Sequence, residues 1–240
     1  MKIRGLYHCG SNNFLLAKSL GFNAVEIAIA AAPGSYPAMI DSIHAAHAAG
    51  LNAMIAPWGY EKDDKGREIF TLNGEANGLK FLWDNQKIIL PEDIVMMVDE
   101  PNLYSVPIMR IGWLNHKLKA MLPGVKTSVT LSWIRSFAGW GEAADIVGVD
   151  YYAEPLDLAS HIKLAYKVLM LKRELKGELM AVPCIRYSPE HIGRQHYFWS
   201  RVLGAKNFMW YSASGNGGKW GFSNLFTQQN YMEALEKVLI

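Results

Sequence analysis

Two hydrophobic periods alternate along this chain. Short apolar runs, often β-branched, are each followed by a longer stretch whose apolar positions fall three and four apart, which is the pattern of buried strands alternating with amphipathic helices. The runs predict eight strands, over Lys2–His8, Asn23–Ile29, Leu51–Trp58, Asp93–Asp99, Lys126–Trp133, Asp145–Tyr151, Leu179–Arg186 and Asn207–Ser212. The spaced stretches predict helices over Asn13–Leu20, Tyr36–Ala49, Leu79–Gln86, Val106–Met121, Leu156–Leu175, Pro189–Leu203 and Gln228–Leu239, with a short helical piece near Phe137–Ala143. Strand followed by helix, repeated, describes a parallel sheet covered by helices. Eight such units in 240 residues suit an α/β fold of one domain, a single (β/α)8 TIM barrel over residues 1–240. An open doubly wound sheet more often carries a Gly-rich phosphate loop, and no G-x-G-x-x-G or Walker pattern follows the first strand.

Local chemistry at the junctions supports this register. Gly21, Gly50 and Gly204 each separate a helical run from the next strand, where a glycine relieves left-handed backbone. Ser188-Pro189-Glu190 reads as a helix start, with a capping hydroxyl, a first-turn proline and an acid at the positive end of the dipole. The insertion Gly59–Gly78 contains the charged run Glu61–Arg67 and is expected to be a solvated loop at the rim, with Ala213–Phe226 as a second rim loop.

Composition narrows the function classes. A formal charge of +2, with bases scattered among acids, offers no footprint for nucleic acid. No stretch reaches the ~18–20 apolar residues of a membrane span. The start, Met1–His8, lacks the apolar core and cleavage site of a secretory signal, so the expectation is a cytoplasmic protein or part of a phage particle or other assembly. Cys9 and Cys184 fit neither a disulfide framework nor a zinc site and read as buried thiols. His44 and His47 lie three apart on a helix without a third ligand nearby, and are assigned to its surface. No metal and no cofactor are expected, and the oligomeric state is left open.

The chemistry collects at the C-terminal ends of the strands, where such barrels hold their active sites. The fourth run ends in Val98-Asp99-Glu100-Pro101 and the sixth in Asp150-Tyr151-Tyr152. Around these acids stand Tyr7, His8, Trp58, Ser132, Trp133, Arg186, Tyr187, Trp210 and Tyr211. Carboxylates among aromatic rings suit a carbohydrate, whose C–H faces stack on rings while its rim hydrogen-bonds. Glycoside hydrolysis needs a carboxylic acid at the leaving oxygen and a second group at the anomeric carbon. Strand alternation sets Ile94, Met96, Val98 and Glu100 on one face and Asp99 on the other, which makes Glu100 the expected acid. Asp150 shares its face with Ile146 and Gly148, and is either the second catalytic carboxylate or an acid that orients a tyrosine or arginine. Tyr7, Trp58, Trp133, Tyr151, Tyr152, Arg186, Trp210 and Tyr211 are the expected substrate-binding set. Glu154 and Glu190 are assigned to helix starts. Glu26 is expected to lie too deep for the rim and to pair with Arg4 or Arg186.

With these phrases in view, Asp99-Glu100-Pro101, Asp145-Ile-Val-Gly-Val-Asp-Tyr-Tyr152 and Phe208-Met-Trp-Tyr211, the chain resembles the (β/α)8 glycoside hydrolases over nearly its whole length. In the large retaining clan of those enzymes the fourth-strand phrase is Asn-Glu-Pro, with a nucleophile on strand seven. Here Asp99 takes the asparagine's place, and strand seven runs into Arg186-Tyr187-Ser188 without a carboxylate. The adjacent Asp-Glu pair is similar to that of hexosaminidase-type enzymes, in which the substrate's own acetamido group attacks. That resemblance implies that Asp99 orients the acetamido group, Glu100 is the acid/base and Tyr152 or Tyr211 holds the carbonyl. The competing mechanism keeps Glu100 as acid and gives Asp150 the role of nucleophile or base, with a carboxyl separation of ~5 Å for retention or ~6.5–9.5 Å for inversion. A different class of function, an inert carbohydrate-binding or structural barrel, fits the same aromatic rim. A serine hydrolase built on Ser132 and His8 lacks any G-x-S-x-G setting.

Overall fold

Eight parallel strands close into one barrel, as the alternation of short apolar runs and amphipathic stretches predicts. The computed structural model describes residues 2–7, 9–28, 35–62, 68–151, 157–183, 188–211 and 229–239. The barrel strands are β1 (Arg4–Leu6), β2 (Ala24–Ala28), β3 (Asn52–Ala56), β6 (Ile94–Asp99), β7 (Lys126–Ser132), β8 (Ile146–Tyr151), β9 (Glu178–Pro183) and β10 (Asn207–Trp210). A separate antiparallel hairpin, β4 (Tyr60–Lys62) and β5 (Glu68–Phe70), follows β3. Each barrel strand pairs in parallel with its neighbours, and β10 returns to β1. The described helices are α1 (Phe14–Ser19), α2 (Tyr36–Ala48), α3 (Leu72–Asp84), α4 (Ile108–Met121), α5 (Leu158–Glu174), α6 (Pro189–Tyr197) and α7 (Gln229–Leu239). All eight predicted strands are present, within a few residues of the expected bounds. None of the described helices is long and apolar enough to cross a membrane.

The expected junction chemistry holds. Gly21, Gly50 and Gly204 have positive φ, and the Ser188 hydroxyl accepts from the His191 N–H at the start of α6. The final predicted turn of that helix is instead a π-helical turn, Phe198–Val202. The insertion departs from expectation. Rather than a loop throughout, it forms the β4–β5 hairpin, and α3 begins at Leu72, seven residues before the predicted Leu79, with the Thr71 hydroxyl accepting from Gly74 N–H at 3.0 Å. Gly74 and Gly78, inside α3, serve close packing. A Cβ on Gly74 would meet the Gly59 carbonyl oxygen at 2.0 Å, and one on Gly78 would meet the Trp58 ring at 2.4 Å. Phe70 packs edge-on against Trp58 and under the Arg110 guanidinium, while Arg110 Nε donates to Glu75 at 2.7 Å. The insertion is thereby fastened to α4.

Side-chain alternation separates the barrel interior from the layer under the helices. Lys126, Glu178 and Asn207 meet at the N-terminal end, where Lys126 bonds Glu178, Asn207 Nδ2 donates to Glu178 at 2.7 Å and Asn207 Oδ1 accepts from Ile3 N–H at 2.9 Å. Methionines fill the middle: a Cβ on Gly5 would lie 1.9 Å from the Met209 sulfur, and one on Gly148 would lie 3.0 Å from Met180 Cε and 3.1 Å from Thr130 Oγ1. These inward neighbours confirm that Gly148 is small because the interior is crowded. Outside the barrel, His47 Nε2 lies 3.0 Å from Asp93, whose buried carboxylate also accepts from Ala53 and Leu90 N–H groups. His47 is thus a structural partner of Asp93. Cys9 is buried, and that burial pushes its thiol up to about 12, as expected of an inert core cysteine.

Candidate active site

The site is built by a break in the β6–β7 ladder. Met96 stands opposite Ser128, but the next recorded pair sets Asp99 opposite Thr130, so β6 spends three residues where β7 spends two. This bulge inverts the alternation for the end of the strand. Met96 faces the interior, where its sulfur accepts from the Tyr7 hydroxyl at 3.2 Å. Beyond the bulge the interior position passes to Asp99, not to Glu100, and the expected facing of these two acids is overturned. Thr130, the partner of Asp99, lies 2.9 Å from the same Tyr7 hydroxyl.

Two further contacts hold the break in place. β6 leaves the β3 ladder after Val95, and the Trp58 indole N–H donates to the Met96 carbonyl. Past the strand, Asn102 clamps the end of β7, accepting from Ser132 N–H at 2.8 Å and donating to its carbonyl at 2.9 Å. Between these anchors Glu100 adopts φ +45°, a left-handed conformation uncommon for a residue with a Cβ and concentrated at functional sites. Its N–H bonds the Thr130 carbonyl, and its own carbonyl accepts from Leu103 and Tyr104. Glu100 is partly exposed, beside Asp99 at the rim.

Carboxylates from three strands converge on this point. Glu26, on β2, shares the inward face with Ala24, which stands opposite Gly5; it is buried. Asp150, on β8, shares the inward face of Gly148 and is also buried. Burial first, then the charges of Glu26 and Glu100, raises the Asp99 carboxyl to about 8. Tyr7 is raised well above its ordinary value by burial and then by Asp99 and Glu26, with Asp150 adding to the effect. The rise favours the protonated form of Asp99, which is partly exposed at the rim. Glu26 stands within this cluster, and Arg4, on the face of β1 opposite to Gly5 and Tyr7, is not its interior partner; Arg186 lies outside the described residues.

The aromatic residues divide into two groups. Tyr7 and Tyr211 stand edge to face at 6.4 Å on the interior side, and Tyr211 is partly exposed there. The others are turned away or covered. Trp58 is buried beneath the insertion. Trp210 is wholly buried on the outer face of β10, stacked on Phe208 at 6.1 Å and 17°. Tyr151 is buried against His161 of α5, and Trp133 packs edge-on against Tyr151 at 5.1 Å, partly exposed. Strand parity explains the division, since Trp210 and Tyr151 are each one residue out of step with the inward Tyr211 and Asp150. His8, Tyr152, Glu154, Cys184, Arg186 and Tyr187, with the rim loop Ala213–Phe226, lie outside the described residues. Among the described residues no group of three or more His, Cys, Asp or Glu side chains could hold a metal ion.

Glu26 and Thr130 are the members that the sequence reading missed. Their signal is present in retrospect: Ser128, Thr130 and Ser132 alternate with Thr127, Val129 and Leu131, which marks a polar inward face on β7. Glu26 is flanked at two residues' distance by Ala24 and Ala28, small neighbours that leave room for an inward acid.

No family model matches the chain, and no curated protein matches it. Solved structures do. A GH113 β-1,4-mannanase superposes with a TM-score of 0.67 at 8% identity, over 99% of this chain and 97% of that one. A GH5_18 protein from Bifidobacterium longum subsp. longum gives a TM-score of 0.67 at 10% identity, over 99% of this chain and 78% of its own. The 3-dehydroquinate dehydratase of Geobacillus kaustophilus gives 0.62 at 12%, over 100% and 90%. Likeness at such identities is one of fold: the chain has the (β/α)8 barrel that the mannanase, the GH5_18 protein and the dehydratase share, a barrel that carries many chemistries.

Proposed function

We propose that this protein is a glycoside hydrolase acting on an oligo- or polysaccharide, with its acid chemistry at the Asp99–Glu100 pair. The observation that carries the reading is the inward Asp99, whose carboxyl keeps its proton to about pH 8 beside Tyr7 and Glu26. Glycosidic cleavage at neutral pH calls for such a protonated acid near a second carboxylate. In this reading Asp99 protonates the leaving oxygen and Asp150, on the same inward surface, serves the anomeric carbon. Glu100 and Glu26 keep the proton on Asp99. Tyr211 offers the sugar an exposed ring.

A second mechanism has an observation in its favour. The seventh barrel strand, β9, ends at Pro183, and the sequence after it, Cys184-Ile185-Arg186-Tyr187, holds no carboxylate, which suits a substrate that supplies its own acetamido nucleophile. Glu100 is then the acid/base and Asp99 donates a hydrogen bond to the acetamido group.

Hydrolysis of aryl glycosides and β-linked polysaccharides, with and without 2-acetamido groups, tests both. Under the first mechanism Asp99→Asn lowers kcat by about 10²–10⁴, while Glu100→Gln chiefly moves the pH profile. Under the second Glu100→Gln carries that loss, and only acetamido sugars are cleaved. Glycan binding with no turnover on any substrate would replace both with the inert barrel.

A further inference from the structure

Tyr7 presents almost no surface to a substrate. It is 3% exposed, and its hydroxyl donates to Met96 Sδ at 3.2 Å and lies 2.9 Å from Thr130 Oγ1. A phenol carries one proton. With that proton directed to Met96, the Tyr7 oxygen is left to accept from the Thr130 hydroxyl, so the two bonds form one chain from Thr130 through Tyr7 to Met96. All three side chains are buried, where a hydroxyl that loses its partner is costly.

The two anchors of the Tyr7 hydroxyl straddle the bulge. Met96 is the last residue of β6 before the register shifts, and Thr130 is the residue of β7 opposite which Asp99 stands after the shift. The Thr130 carbonyl also takes the Glu100 N–H at 2.8 Å. Tyr7 reaches this point from across the barrel. Its own N–H bonds the Trp210 carbonyl at 2.9 Å, and its ring meets Tyr211, the partly exposed ring of the site, edge to face. One side chain therefore touches both sides of the break that turns Asp99 inward, and also the ring offered to the sugar.

We propose that Tyr7 is a positioning residue, which clamps the bulge through its hydroxyl and so fixes the Asp99 carboxyl relative to Tyr211. Trp58 and Asn102 hold the backbone of β6 and β7, while Tyr7 holds the same break by its inward side chains. Tyr7 thereby leaves the substrate-binding set. The kinetic consequence rests on the glycosidase reading, and the hold on Asp99 does not.

Tyr7→Phe and Thr130→Val each delete one hydroxyl and keep the shape of the side chain. Carbon NMR titration of Asp99 in each variant is the first arm of the test, and turnover of whichever glycan the wild type hydrolyses is the second. The charged groups around the pair, Glu26 of β2, Glu100 of β6 and Asp150 of β8, are kept in both variants. A carboxyl released from the clamp turns toward water, so its midpoint should fall by about one pH unit or more in each. With the acid displaced, kcat should drop about 10²-fold while KM changes little, and the high-pH limb of kcat should move down with the midpoint. The double variant should do no more than either single change, because both cut the same chain. Ile43→Val, within the buried face of α2, controls for lost stability and should leave midpoint and kcat unmoved. An Asp99 midpoint that is the same in Tyr7→Phe as in wild type overturns the proposal, and so does a double variant whose shift is the sum of the two single shifts. Absence of turnover in the wild type would sink the glycosidase reading and leave the midpoints to decide the role of Tyr7.

Discussion

Asp99 stands opposite Thr130 in the β6–β7 ladder, where an even register would have placed Val98. A one-residue slip exchanges the faces of every side chain beyond it, so this bulge brings Asp99, in place of Glu100, into the barrel mouth. Burial there disfavours the ionised form of the Asp99 carboxyl.

The carboxyl of Asp99 is raised from 3.8 to about 8 in the folded chain. Between those values the folded state holds a proton that the unfolded state has released, so stability falls as pH rises from about 4 to about 8. Asp99→Asn removes that dependence. The variant should match wild type near pH 4 and exceed it above pH 8, with the gap on the order of a few kcal/mol. Denaturant titrations at several pH values measure it directly.

If Asp99 is the proton donor, turnover depends on its protonated form. kcat should then fall as pH rises through about 8, and Glu26→Gln, which removes a neighbouring negative charge, should move that fall to lower pH. A kcat profile in which the high-pH limb is unmoved by Glu26→Gln would detach the acid from this cluster.

Trp58 supports the site from beneath. Trp58→Phe keeps a ring under the insertion but leaves the Met96 carbonyl without its indole donor. The loss should cost about 1–3 kcal/mol in chemical denaturation. Trp58→Ala, which also removes the packing against Phe70, should cost about 3–5 kcal/mol.

Gly148→Ala probes the crowding behind Asp150. The added methyl meets Met180 Cε at 3.0 Å and Thr130 Oγ1 at 3.1 Å, and overpacking of this kind costs about 1–3 kcal/mol. Because Thr130 is the hydroxyl partner of Tyr7, the ultraviolet titration of Tyr7 should shift in the same variant.

The barrel was legible because each strand and helix declares its own period, and those periods are local. The site was legible only in part, because the facing of the acids depends on pairing. Nothing within Ile94–Glu100 announces that β6 will spend an extra residue against β7, and period-two counting therefore chose Glu100 over Asp99 for the interior. The same counting, applied to Trp210 and Tyr151, would have turned them away from the mouth, since their neighbours Tyr211 and Asp150 face inward. The early start of α3 was missed for a related reason: Gly74 and Gly78 fit against the Gly59 backbone and the Trp58 ring, contacts that no local pattern announces. Polar alternation along β7, from Ser128 through Ser132, was the readable sign of the inward surface.

The most direct test is to titrate the Asp99 carboxyl by carbon NMR, identifying its resonance by its loss in Asp99→Asn. The account predicts a midpoint near 8, lowered in Glu26→Gln. A midpoint near the ordinary 3.8, unchanged by Glu26→Gln, would contradict it, because Asp99 would then face solvent and the bulge would not have built the site.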